Sequence, residues 1–448
     1  MLIPKASTRV TVITAVALLA AIVVLSQWRV VAWDFINSIV LPLSPSTTRV
    51  TLAPPSHSPS EHGSPRGDPL GVGDGETAAI EASKPEHIIL YWTAPSTETG
   101  HLKQVFDLCP VKNCRATWDK SELPRASAVV ISRDWASTPG DVASWLPPRR
   151  PGQPRIWRLN EPPVEGHMPF SLLKDLSGHV DWTSTYKYES DIFGGYGATA
   201  FLPVALQEER KRVYDELLAN SGLSDKSVLW IVSNCGTKAQ GKSCGGRKAD
   251  VQSCRNHYYK ELISHIDIIK HGKCGMVHGQ AVGGCDRNDM ACFDAYVKRF
   301  RFYLAFENSK CRWYITEKLW KVYKWQVKGI PIVPIVLGAP KGDYEKLAPP
   351  GSFIHVDDFD SPRALAEYLH YLLGNHSAFA AYFEWVKSYR TLGQYYTDCL
   401  MCNAMNNDSA RKETTSSGKG RGGKYGDLHA WSTHGQCQPS KPWRWMKP

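Results

Sequence analysis

The chain has 448 residues, an ordinary globular composition and a surplus of ten positive charges at neutral pH, much of it near the C-terminus. That length allows two domains plus extensions, and a moderate, tail-weighted charge does not call for nucleic acid as a partner. Sixteen Trp and nineteen Tyr suit sugar-stacking surfaces and plain cores equally.

Residues 1–9 form a short basic start, read as a cytoplasmic tail, and the run Val10–Ser26 is almost wholly apolar. With Trp28 and Trp33 as interfacial residues, 10–31 is expected to be a signal anchor that places the C-terminal bulk in the lumen. A cleaved signal peptide is the rival reading, but Ala15-Val16-Ala17 lies inside the apolar run and not after it. Pro42–Pro85 is rich in Pro, Ser, Gly and Thr without apolar periodicity, and 32–85 is read as a disordered stem.

His87–Trp92 and Ala128–Ser132 read as strands, opening an expected first α/β domain over 86–220. Between them lie Cys109 and Cys114, and far downstream come Cys399 and Cys402. The twelve cysteines suit disulfides in an oxidising lumen; zinc is the alternative for the group between Cys235 and Cys292, which lacks paired Cys-x-x-Cys units. Asn375-His-Ser377 and Asn407-Asp-Ser409 are N-glycosylation sequons.

The segment 155–196 carries a tryptophan-bearing strand that runs into Asn160-Glu161-Pro162-Pro163. Two prolines stiffen that loop, and a carboxylate there suits a general base, with Glu165 as its competitor. Asp191, in Ser190-Asp191-Ile192, is placed as a structural or acceptor-binding residue. A second domain is expected over 221–405. Its strand Ser227–Val232 empties at Ser233 and Asn234, and a Cys- and Gly-rich loop holding Arg247 precedes a helical pattern with Arg255, Tyr258, Glu261 and Leu262.

Residues 302–340 hold a complete βαβ pattern: an apolar strand (Phe302–Phe306), the turn Glu307-Asn308-Ser309, a helix capped by Thr316, and the strand Ile332–Leu337. Such a turn presents free N–H groups and a positive helix end, and Lys318 in the first turn adds a full charge. The pattern points to a nucleotide-phosphate site, beside the bland reading of an ordinary crossover. Asp358-Phe359-Asp360 is the one useful Asp-x-Asp, and it reads as structural. From 406 to 448 the tail is basic and Gly/Ser-rich, expected to be disordered.

FYLAFENS followed by YITEKLW resembles the signature of the α1,3-fucosyltransferases, and FENSKCR with the late Cys-x-x-Cys is most similar to the invertebrate core-type branch. The resemblance spans about His87 to Met405. It implies two Rossmann-like α/β domains of GT-B type, a type II Golgi membrane enzyme, and inverting transfer of fucose from GDP-fucose to N-acetylglucosamine of N-glycans. On the matching positions it implies Glu161 as catalytic base and Ser233, Asn234, Arg255, Asn308, Tyr314, Glu317 and Lys318 as the donor site. No metal is implied as essential, with manganese at most a stimulant. An antenna (Lewis-type) enzyme and a degenerate glycan-binding relative stay open. Trp313 stands where many relatives carry an acidic residue, Pro162 where the family usually has Ser, and Val322–Lys328 is bulkier and more basic than usual.

Overall fold

The computed structural model describes residues 85–93, 106, 109–132, 142–163, 170–223, 226–233, 251–274, 285, 289–393, 396–407 and 425–437. The anchor at 10–31, nearly all of the stem, Glu165, Asn234 and Arg247 lie outside the described residues. No described helix is long and apolar enough to cross a membrane.

Two parallel sheets organise the chain. The first comprises β1 (His87–Tyr91), β2 (Cys114–Thr117), β3 (Ala128–Ser132), β4 (Arg155–Leu159), β5 (Trp182–Thr185) and β6 (Ile192–Phe193), in the order β2-β1-β3-β4-β5-β6. Side chains alternate across it: Ile89 and Tyr91 join one core cluster and Ile88 and Leu90 another, as the two-residue period of a strand requires. After β6 the short β7 (Ala198–Phe201) pairs antiparallel with β13 (Tyr389–Leu392).

The second sheet holds β8 (Lys226–Ile231), β9 (Ile268–His271), β10 (Phe300–Phe306), β11 (Val333–Leu337) and β12 (Ile354–His355), in the order β12-β11-β10-β8-β9. Its central strands are nearly continuous apolar runs: six of seven β10 residues and all of β11 are buried, as in a sheet covered on both faces. Counted from its own first strand, this order is 2-1-3-4-5. Its switch point falls between β8 and β10, so the crevice beyond their C-terminal ends is where such a sheet takes a ligand. Ser233 follows β8 there, and Glu307 and Asn308 follow β10.

Two features differ from the sequence expectation. Helix Tyr396–Met405, assigned by sequence to the second domain, packs on the first sheet: Cys399, Met401, Cys402 and Met405 share a core with Ile89, Tyr91, Val130 and Ile156. Disulfides Cys109–Cys399 and Cys114–Cys402 fasten it, and Asp398 accepts from Arg158 at 2.6 Å and from Tyr91 Oη at 2.8 Å. Within the tail expected to be disordered, Leu428–Thr433 is helical, Tyr425 and Leu428 are buried against Trp157 and Leu173, and Cys437 is bonded to Cys311. Both segments act through partners more than a hundred positions away, which no local pattern records.

Candidate active site

One wall of the site is built on a buried carboxylate. Glu307 directly follows β10, with its side chain 1% exposed. Its oxygens accept from Thr316 N at 2.7 Å, from the Thr316 hydroxyl at 2.8–2.9 Å and from Lys318 Nζ at 3.0 Å. The Thr316 hydroxyl has one proton, given to Glu307, and its lone pairs take Lys318 Nζ at 2.8 Å and Lys318 N at 3.5 Å. Gly338 leaves room for this arrangement, since a Cβ there would lie 2.7 Å from Glu307 Cγ. Burial raises the Glu307 carboxyl, and Lys318 counters this only in part. Burial alone would lower the Lys318 ammonium, but Glu307 and Glu317 outweigh it and hold the group above its usual value. Lys318 therefore stays charged at the start of helix Glu317–Val327, where the helix dipole adds to its field.

The third partner of Lys318 Nζ is Glu317 Oε1 at 3.3 Å, on a side chain 62% exposed. A phosphate oxygen can replace that exposed carboxylate without disturbing the two buried partners. Arg255, 2% exposed on helix Val251–Leu262, donates to the Phe306 carbonyl at 3.3 Å beside Glu307, and burial draws its guanidinium below the usual value. Asn308 Oδ1 is buried without a hydrogen-bond partner. Ser233 is exposed at the end of β8.

The opposite wall comes from the first sheet. β4 delivers Glu161 two residues beyond its C-terminal end. Each Glu161 oxygen accepts from a phenol: Oε1 from Tyr196 at 3.0 Å and Oε2 from Tyr314 at 2.9 Å. Burial, followed by Tyr196 and Glu161, raises Tyr314 well above the usual phenol value, and burial followed by Glu161 does the same to Tyr196. Both remain donors. Tyr314 also meets Tyr186 edge-on at 5.3 Å. Since Tyr314 lies on the loop leading into helix Glu317–Val327, its bond to Glu161 joins the two walls four residues from Lys318.

Of the residues singled out by sequence, Glu161, Tyr314, Glu317, Lys318, Asn308, Arg255 and Ser233 thus gather around the switch point of the second sheet. Tyr314, assigned to the nucleotide pocket, donates here to Glu161. Asp191 is structural: it accepts from Thr183 N at 2.8 Å and from Tyr425. Asp358 pairs with Lys341 at 2.6 Å. Of the two sequon asparagines, Asn375 caps helix His376–Ala380 through Ala378 N at 3.0 Å, and Asn407 is exposed. Sequence reasoning missed Tyr196 and the structural part of Glu307. The signal for Tyr196 was its setting in Gly194-Gly195-Tyr196-Gly197: a Cβ on Gly197 would lie 2.5 Å from the Trp320 ring, so backbone and helix meet closely there.

A charged lysine at a helix start on one parallel sheet thus faces a carboxylate carried by the other. Two family models match the chain: "Fucosyltransferase, N-terminal" over residues 84–197 and "Glycosyltransferase family 10 (fucosyltransferase) C-term" over residues 223–419. A 3-galactosyl-N-acetylglucosaminide 4-alpha-L-fucosyltransferase (FUT3) of Bos taurus is 33% identical over 324 residues, covering 72% of this chain and 77% of the relative. A 4-galactosyl-N-acetylglucosaminide 3-alpha-L-fucosyltransferase (FUT6) of Homo sapiens is 32% identical over 332 residues, covering 72% and 80%. A crystal structure of alpha1,3-fucosyltransferase with GDP-fucose overlays with a TM-score of 0.45 at 15% identity, covering 76% of this chain and 96% of that one. The chain belongs to the glycosyltransferase family 10 fucosyltransferases.

Proposed function

We propose that the protein is an inverting α1,3-fucosyltransferase that moves L-fucose from GDP-β-L-fucose to a hydroxyl of N-acetylglucosamine in an N-glycan. The observation that carries this is the pairing of Glu161 with the charged Lys318 site across one cleft, joined through Tyr314. Glu161 takes the proton of the acceptor hydroxyl as that oxygen forms its bond to fucose C1. The bond from C1 to the diphosphate oxygen breaks on the opposite face, and its electron pair leaves with GDP. Lys318, Arg255 and the helix end meet the charge that grows there, and such fixed cations in a dry site are worth more than in water. One displacement converts the β-linked donor to an α-linked product. An N-terminal anchor would hold the enzyme in the Golgi membrane, with this site in the lumen.

For the acceptor, FENSKCR favours the N-glycan core. The names of the relatives, which act on galactosyl-N-acetylglucosaminides, favour the antenna as second reading. The full chain, given GDP-fucose and both acceptors, decides between them: transfer to the core oligosaccharide alone supports the first, and transfer to N-acetyllactosamine alone replaces it with the second. Binding of GDP-fucose without transfer to either would overturn the enzymatic reading.

A further inference from the structure

The loop that carries Tyr314 is held from behind by the C-terminal segment. At one end, that segment is packed on the first sheet. Tyr425 is 2% exposed and donates to Asp191, its hydroxyl lies 2.9 Å from that of Thr183, and its carbonyl accepts from Gly178 N at 2.9 Å. Leu428 is fully buried, and its N–H donates to Ser177 Oγ at 3.0 Å. The Trp431 carbonyl accepts from Lys187 Nζ, which also sits 3.7 Å from the Trp431 ring centre. At the other end, Cys437 is bonded to Cys311 of the second domain, and Arg312 N donates to the Gln436 carbonyl at 2.8 Å. Two residues, Arg312 and Trp313, separate Cys311 from Tyr314.

Between them stands Trp313, the only described non-glycine residue with positive φ, at 64°. A bulky side chain makes that conformation costly, so its surroundings must hold it. They do so on every side. Asp343 accepts the Trp313 N–H at 2.7 Å and Glu189 accepts the indole N–H at 2.9 Å. Tyr188 stacks on the ring at 5.1 Å, Arg312 lies 4.9 Å from it, and Lys346 covers Tyr188 at 4.8 Å. Tyr188 and Glu189 belong to the first domain, the others to the second, so the clasp spans the same junction as the Tyr314–Glu161 bond.

We propose that Tyr425–Cys437 is a strap that positions the active site: through the Cys311–Cys437 disulfide and the Arg312 N–Gln436 carbonyl bond, beside the Trp313 clasp, it fixes the loop 311–316 so that the Tyr314 hydroxyl meets Glu161. This rests on the fucosyl-transfer reading above. Tyr314 and the strap are positioning elements; Glu161 does the proton transfer. Losing the strap leaves the donor site, built on Glu307, in place. It frees one Glu161 oxygen from its Tyr314 donor, so the carboxylate is no longer held in place for the acceptor hydroxyl.

The test compares the full-length wild type with Cys437→Ser and Trp313→Gly; the latter keeps the positive φ and the disulfide and removes only the ring clasp. Steady-state kinetics and hydrogen–deuterium exchange of the 311–316 peptide are measured. The expected result for both variants is a kcat loss of about tenfold to a hundredfold, as for a misplaced group near the chemistry. With it come a nearly unchanged KM for GDP-fucose and faster exchange at 311–316. An unchanged kcat and unchanged 311–316 exchange overturn the strap, even where the melting temperature falls. If Cys437→Ser does not fold, Trp431→Ala, which removes the ring that packs on Lys187 and Tyr425 and keeps the disulfide, decides in its place by the same measurements. A wild type that transfers no fucose refutes the enzymatic reading instead, and the exchange data then judge the strap by themselves.

Discussion

The substitution Glu307→Gln tests whether a buried carboxylate supports the donor site. It keeps the shape of the side chain and removes its charge. The wild-type group takes three donors, Thr316 N at 2.7 Å, the Thr316 hydroxyl and Lys318 Nζ at 3.0 Å, on a side chain 1% exposed. The amide retains one good acceptor and turns its NH2 toward groups that are themselves donors. Breaking a buried ion pair by removing one partner costs about 3–5 kcal/mol. The Lys318 side chain is 19% exposed, so water recovers part of this, and the low end, about 3 kcal/mol, is expected. For a domain of this size that is a fall of about 6–12 °C in melting temperature. With Glu307 neutral, burial of Lys318 is opposed only by the exposed Glu317, and its ammonium drops in pKa, so GDP binding weakens about tenfold. Calorimetric melts with and without GDP read both effects. A variant that melts within about 2 °C of wild type and binds GDP equally well would refute this account of the donor site.

Three further outcomes follow from single contacts. His355 is 1% exposed; its Nδ1 accepts from Asp357 N and its Nε2 faces the Ala339 carbonyl, which uses the neutral ring fully. Burial lowers its pKa, so its contribution to stability is present above the unfolded value of about 6.5 and is lost as pH falls below it. Melts from pH 7.5 to 5 should show a smaller decline in His355→Gln than in wild type. Gly197→Ala places a Cβ against the Trp320 ring and is expected to cost about 1–3 kcal/mol and to lower kcat through Tyr196, read by melting and by transfer rate. Replacing Cys109, Cys114, Cys399 and Cys402 by Ala opens loops of 290 and 288 residues; chain entropy puts the loss at about 6 kcal/mol for the first loop alone, read by chemical denaturation.

Local order was legible in the sequence to within a residue or two. Ala128–Ser132 was read with its observed bounds, and Thr316 caps the helix as its sequence position indicates. Such elements follow from apolar runs, turn residues and capping chemistry that lie within a few positions of one another. The site was legible where a motif is contiguous, as in Tyr314 to Lys318. The rest depends on pairings across the chain. Glu307 reads as a turn residue until the fold brings Thr316 and Lys318 onto it. Nothing near Cys437 points to Cys311, 126 positions away, and nothing near Asp398 points to Arg158. The tail around Tyr425 is basic and glycine-rich on its upstream side, so composition suggested disorder where a buried tyrosine and a disulfide impose structure.

The most direct test of the account is the rate of fucose transfer by Glu161→Gln beside wild type, with GDP affinity measured on the same preparations. A general base contributes about 10²–10⁴-fold, so transfer should fall by that much while GDP binds as before. Transfer within a few-fold of wild type would show that another group takes the acceptor proton, and the assignment of Glu161 would be withdrawn.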